Sequence, residues 1–170
     1  MRSRKKMTAL LYILLWGSSA LLAAEPGDIS AFDRLPGGCW RLGDSCQEFE
    51  FGLDRRRLFA RTVMSTPTGE HVVSEGAWFH HPGEEQVIGY FIARDMGVEL
   101  FEYRTLFQDD VMVSEVTAWD GSGNPREYRE VWTFTGPDSY TWELFEDSSG
   151  SMKRVMQGIF VRETGSNTGR

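Results

Sequence analysis

Leu35-Pro36-Gly37-Gly38-Cys39-Trp40 reads as a helix stop followed by a strand start. Pro36 cannot continue a helical turn, the paired glycines let the backbone bend, and a large aromatic then enters an extended run. Upstream, Asp28 to Arg34 is expected to form one helical turn, with Ser30 as N-cap and Asp33 in a capping-box place. Downstream, strand-like runs alternate with short turns and no stretch holds a helical period.

Ten strands are expected: Cys39 to Leu42, Cys46 to Leu53, Leu58 to Ser65, His71 to His80, Gln86 to Arg94, Val98 to Phe107, Val111 to Trp119, Arg126 to Thr135, Tyr140 to Glu146 and Lys153 to Glu163. Between them stand turn formers such as Pro67-Thr68-Gly69, Asp120-Gly121-Ser122-Gly123 and Gly136-Pro137-Asp138. Every connection is short enough to be a hairpin, so a sequential antiparallel meander follows. A sandwich would need longer crossovers, whereas a meander buries one face and removes its edges by closing into a barrel. The expected fold is therefore all-β: one antiparallel meander closed into a barrel of about ten strands, after a short N-terminal helical turn.

Two stretches echo each other, Val72-Val73-Ser74-Glu75-Gly76-Ala77-Trp78 and Met112-Val113-Ser114-Glu115-Val116-Thr117-Ala118-Trp119. The second is one residue longer, and that residue is expected to form a bulge. Two copies signify similar strands in one barrel, not a repeat architecture.

Residues 1–24 carry a basic head, an apolar run from Ala9 to Trp16 and a small-residue tail ending in Ala23-Ala24, which is the pattern of a secretory signal peptide cut after Ala24. A membrane anchor fits less well, because the run is short and Gly17-Ser18-Ser19 interrupts it. The barrel domain is then 25–170, exported to a periplasm or secreted, with no stable membrane anchor after cleavage. Loss of four basic residues moves the formal charge from -7 to -11. Such an acidic chain lacks the basic face that nucleic acid requires.

Cys39 and Cys46 lie seven positions apart in a chain bound for export, which favours a disulfide. A hairpin about Leu42-Gly43 would set them opposite each other. A metal or redox pair fits poorly, since there is no C-x-x-C spacing and no third thiol. Closing so small a loop contributes about 2 kcal/mol as a local clip.

Gly38-x-Trp40, entered from a helical turn and followed by the meander, resembles the calycin superfamily of lipocalins and fatty-acid-binding proteins, and most of all bacterial lipocalin-like domains of unknown function. Ten strands suit its fatty-acid-binding or nitrobindin-like branch better than its eight-stranded one. The resemblance implies that Trp40 packs beneath an arginine of the last strand at the closed end of the barrel. Arg162, in Gly158-Ile159-Phe160-Val161-Arg162, stands at the matching place and would bond the carbonyls of the opening turn.

Barrel strands alternate sides, so Phe49 and Phe51 share one face and Glu48 and Glu50 the other; similar alternations run through Glu99 to Arg104 and Tyr128 to Phe134. Which face is inward stays open. With the aromatics inward, Phe49, Phe51, Phe101, Tyr103, Trp132 and Trp142 line an apolar pocket for a small hydrophobic or amphipathic ligand, or else they fill a dry core. Glu75 and Glu115 interrupt apolar surroundings and stand as interior polar anchors, with Arg94, Arg104 or Arg129 as partners; otherwise they are solvated outer-face residues.

No cofactor is expected. His80 and His81 are adjacent on a strand and point to opposite sides, so with His71 they make no metal site. Haem ligation of the nitrobindin kind would need a late-strand histidine, and none follows His81. Hydrolase, P-loop and dinucleotide signatures are absent from the sequence. The main expectation is an exported carrier of a small hydrophobic molecule. The alternatives are a cofactor-independent isomerase or hydratase, with a glutamate such as Glu115 as base and Tyr103 or Tyr128 as acid, and a non-catalytic envelope scaffold.

Overall fold

A computed structural model describes residues 29–148 and 150–163. The leader expected at residues 1–24 and its cleavage site lie outside the described residues. Ten strands follow one 3-10 turn, Ser30–Phe32: β1 Cys39–Leu42, β2 Ser45–Gly52, β3 Arg57–Thr66, β4 Gly69–His81, β5 Gln86–Ala93, β6 Leu100–Gln108, β7 Val111–Trp119, β8 Pro125–Gly136, β9 Ser139–Ser148 and β10 Ser151–Glu163. Each pairs antiparallel with the next, and β1 pairs with β10 through Trp40↔Arg162, closing the barrel. The meander closes because a strongly twisted sheet leaves no unpaired edge once its first and last strands meet.

The 3-10 turn seals one end. Ile29, Phe32 and Leu35 are buried beneath Trp40, Leu58 and Phe107, with the Phe32 and Phe107 rings 4.8 Å apart. Its N-cap is Ile29, not Ser30, with no side-chain cap bond, and Asp33 pairs with Arg55 in place of a capping role. The turn is held by burial of its apolar residues more than by its own caps.

Trp40 anchors this end in the way the resemblance implied. Its indole N–H donates to Leu35 O at 2.7 Å, and the Arg162 guanidinium lies 4.4 Å over its ring. Arg162 also donates to the carbonyls of Arg34, Pro36 and Pro137 and forms an ion pair with Asp138 at 3.2 Å. Gly38 has φ +79°, and a Cβ there would stand 2.6 Å from the Glu163 carbonyl oxygen. Only glycine allows the chain to enter β1 that close to β10.

The Cys39–Cys46 disulfide is present, with Cα atoms 5.5 Å apart. Its geometry differs from expectation in one respect. The turn falls at Gly43-Asp44, so Cys46 stands opposite Arg41 and the cysteines meet diagonally on the outer face. The echo also resolves differently: the β7 ladder is regular, and the irregularity lies in β4, where Thr62↔Ser74 is followed by Val63↔Val72 and Val73 is left over. The one-residue difference sends Trp78 inward and Trp119 outward, where Trp119 donates to Glu102 at 3.1 Å.

Candidate functional site

Along β8, Tyr128, Glu130, Trp132 and Phe134 face the barrel interior, and their neighbours across the sheet are Val116, Ser114 and Met112 on β7 and Glu146, Leu144, Trp142 and Tyr140 on β9. Inward side chains at the sealed end, among them Trp40, Leu58, Met112 and Tyr140, are fully buried. Toward the other end Leu42, Phe101, Tyr103, Trp142 and Leu144 face the same interior but are only half-buried. The barrel interior is therefore closed at the 3-10 turn and more exposed at the opposite end.

Rings wall it. Trp132 stacks on Tyr140 with centroids 4.6 Å apart, and stands edge-on to Phe49 at 6.1 Å and to Trp78 at 6.2 Å. Trp78 meets Phe91 at 4.3 Å and Tyr103 at 5.6 Å. Trp78 lies flat on β5 because position 89 is glycine: a Cβ there would stand 2.6 Å from the indole Cδ1. Gln47 accepts the Tyr140 hydroxyl at 2.6 Å, and the buried hydroxyls of Thr105 and Ser114 bond each other at 2.8 Å, so these polar groups are satisfied in place.

Glu130 is different. It is only 7 % exposed, its Oε1 accepts the Trp142 indole N–H, and its Oε2 is buried without a partner, as are the indole nitrogens of Trp78 and Trp132. Among the described residues no arginine, lysine or histidine forms an ion pair with it. Burial pushes its carboxyl pKa up, and the indoles of Trp142 and Trp132 oppose that rise in part. Burial pushes the Tyr103 hydroxyl well above its ordinary range, and the nearby Glu130 charge adds to it; Tyr140 behaves alike. Tyr103 is half-buried. Buried polar atoms are nearly always paired, so unpartnered ones gathered in a lumen mark where a ligand's polar groups would be accommodated.

Of the residues singled out from sequence, Tyr103, Trp132 and Trp142 stand around this carboxylate, and Phe49 packs edge-on to Trp132 behind them. Phe101 stands nearer the mouth, 6.3 Å from Tyr103, and Phe51 lies toward the sealed end beneath Arg55. Glu75 and Glu115 are not interior anchors: both are exposed on the outer face, and Glu115 is held by Arg129 at 2.7 Å. The serine beside each glutamate takes the inward position, which turns the glutamate out by strand alternation. Glu130 escaped notice although a signal existed, since it shares the parity of Tyr128, Trp132 and Phe134. Tyr128 is half-buried near the mouth.

A second concavity lies outside the wall. A groove of about 760 Å³ crosses β2 to β6, with Phe59, Tyr90 and Ile92 exposed in it and Glu48, Glu75 and Arg61 beside them. Its one arginine is already bonded to Glu48. Among the described residues no group of three histidine, cysteine or acidic side chains is placed to hold a metal ion. His81 serves its turn, accepting the Glu84 amide at 3.1 Å.

Set against known proteins, the chain matches no family model and no curated protein.

Proposed function

We propose that this chain is an exported, calycin-like carrier that binds one small amphipathic molecule in its lumen. In this reading residues 1–24 direct export and are removed, and the disulfide is stable in the oxidising compartment that receives the barrel. The observation that carries the binding reading is the pair of facts about Glu130: it lies inside an aromatic lumen, and one of its oxygens lacks a partner. A dry structural core would not retain such an atom without compensation. The calycin assignment is supported by Gly38, Trp40 and Arg162 in their mutual contact and by the ten-strand meander.

A second reading has one observation in its favour. A carboxylate with a raised pKa beside a buried tyrosine suits proton transfer, which makes Glu130 the base of a cofactor-independent isomerase or hydratase. Against it, the hydrogen bond that Glu130 accepts comes from Trp142, and among the described residues neither Tyr103 nor an arginine donates to it. The carrier reading is the stronger.

Native mass spectrometry of mature protein, purified gently from the exported fraction, tests it. A stoichiometric small-molecule adduct, released on denaturation, is the expected result. A clean apo mass, together with tryptophan fluorescence that does not respond to any amphiphile titrated in, overturns it.

A further inference from the structure

We propose that the lumen selects a cation: its ligand carries a protonated amine that meets Glu130 Oε2 within the rings of Trp78, Trp132, Trp142 and Tyr103. This rests on the carrier reading and adds to it the charge of the ligand.

The argument is one of missing countercharge. A buried carboxylate is ordinarily paired with a cation or saturated with donors. Glu130 accepts a single formed hydrogen bond, from the Trp142 indole; its Oε2 has none, with the Trp132 indole as a nearby donor influence, and among the described residues no cation pairs with it. Arg162, whose guanidinium lies over Trp40, is engaged with the opening turn, Pro137 and Asp138 at the sealed end. Arg154 lies opposite Phe145 on the outer face and is bonded to Glu143 at 2.5 Å. Arg126, opposite Ala118, and Lys153, opposite Glu146, have the inward parity at the open end, but both are exposed and neither forms an ion pair with Glu130. The groups around Glu130 from the neighbouring strands are Ser114 on β7, Tyr103 on β6, and Leu144, Trp142 and Tyr140 on β9, none of which carries positive charge, while Glu146, opposite Tyr128, adds a second carboxylate on the inward side toward the open end. A ligand must therefore bring the countercharge itself.

The rest of the wall agrees. Aromatic faces attract an ammonium through their quadrupoles, and the attraction strengthens where water is excluded. Two indoles, Trp132 and Trp142, and the Tyr103 phenol stand at Glu130, and Trp78 packs against Trp132 and Tyr103 behind them. An anionic ligand would face Glu130 with no compensating base. The indole N–H of Trp132 faces the same carboxylate and lowers its pKa without closing a full hydrogen bond to it. The remaining apolar wall, toward Phe101 and Leu144, would accommodate its hydrocarbon part.

The test is a comparison of three ligands of one skeleton, octylamine, octanol and octanoate, titrated into the mature protein at neutral pH and moderate salt, with binding read by calorimetry and tryptophan fluorescence. The amine is expected to bind about tenfold more tightly than the alcohol or better, and the carboxylate weakest, on the strength of a buried charge pair with aromatic faces. Glu130→Gln is expected to abolish the preference for the amine over the alcohol, and Glu115→Gln, on the outer face, to retain it in full. Moderate salt screens the general attraction of an acidic surface for cations, leaving the lumen term. Alcohol or carboxylate binding as tightly as amine, or an amine preference that survives in Glu130→Gln, overturns the cation assignment and leaves the carrier intact. Failure of all three to bind overturns the carrier reading, and this selectivity with it. The wild-type comparison needs no variant, so the proposal stays testable if Glu130→Gln misfolds.

Discussion

Glu130 sets the energetics of the lumen. Its pKa is raised in the folded chain, so between the ordinary glutamate value and the raised one the native protein keeps a proton that the unfolded chain has released. The stability contribution of this group therefore falls as pH rises through that window. Glu130→Gln removes the titration while keeping an oxygen for Trp142, and we expect the unliganded variant to melt above the wild type at neutral pH, with the difference shrinking below the ordinary glutamate range. Parallel thermal melts across pH check this; a difference that grows on acidification would contradict it. Arg162 makes a complementary case at the sealed end, where its fork reaches the carbonyls of Arg34, Pro36 and Pro137. Lysine keeps the charge but not the fork, so Arg162→Lys is expected to lower stability by about 1–3 kcal/mol in denaturant titrations.

Two elements position the site without touching a ligand. β5 supports Trp78 through Gly89, whose missing side chain leaves the space that the indole fills. Gly89→Ala must displace that ring, and the expected outcome is a loss of about 1–3 kcal/mol with an altered near-ultraviolet dichroism spectrum. An unchanged spectrum would mean the ring does not depend on that gap. The β1–β2 hairpin is clipped by Cys39–Cys46 on its outer face, away from the lumen. Replacing both cysteines by serine is expected to cost about 2 kcal/mol and leave ligand affinity unchanged, as equilibrium unfolding and calorimetry would report.

At the scale of the molecule, closure depends on one short pairing between residues more than a hundred positions apart, Trp40 with Arg162. Such non-local pairing comes late in folding and leaves edges exposed until it forms. Deleting residues 159–170 would open both β1 and β9, and the expected product is an aggregating chain that binds hydrophobic dye, measurable by light scattering. A monodisperse, dye-silent truncation would show that β1–β10 contact is dispensable.

Much of this protein was legible in the residues. Turn formers at short intervals dictated the ten strands, short connections dictated the meander, and a glycine, a tryptophan and a late arginine marked where it closes. Alternation sorted Phe49 and Phe51 from Glu48 and Glu50, because side chains on a strand take opposite faces by geometry alone. Which face is the inner one is a property of the closed sheet, and so Glu75 and Glu115 were candidates for the interior until the register placed their serine neighbours there. A single residue decides such matters: Gly43-Asp44 in place of Leu42-Gly43 shifts the cysteines from opposite to diagonal, and the leftover Val73 accompanies the opposite facings of Trp78 and Trp119. Local sequence determined the strands and the compartment-dependent clip; only tertiary closure put Glu130 among the tryptophans, because burial and the lack of a countercharge depend on side chains contributed by strands distant in the chain.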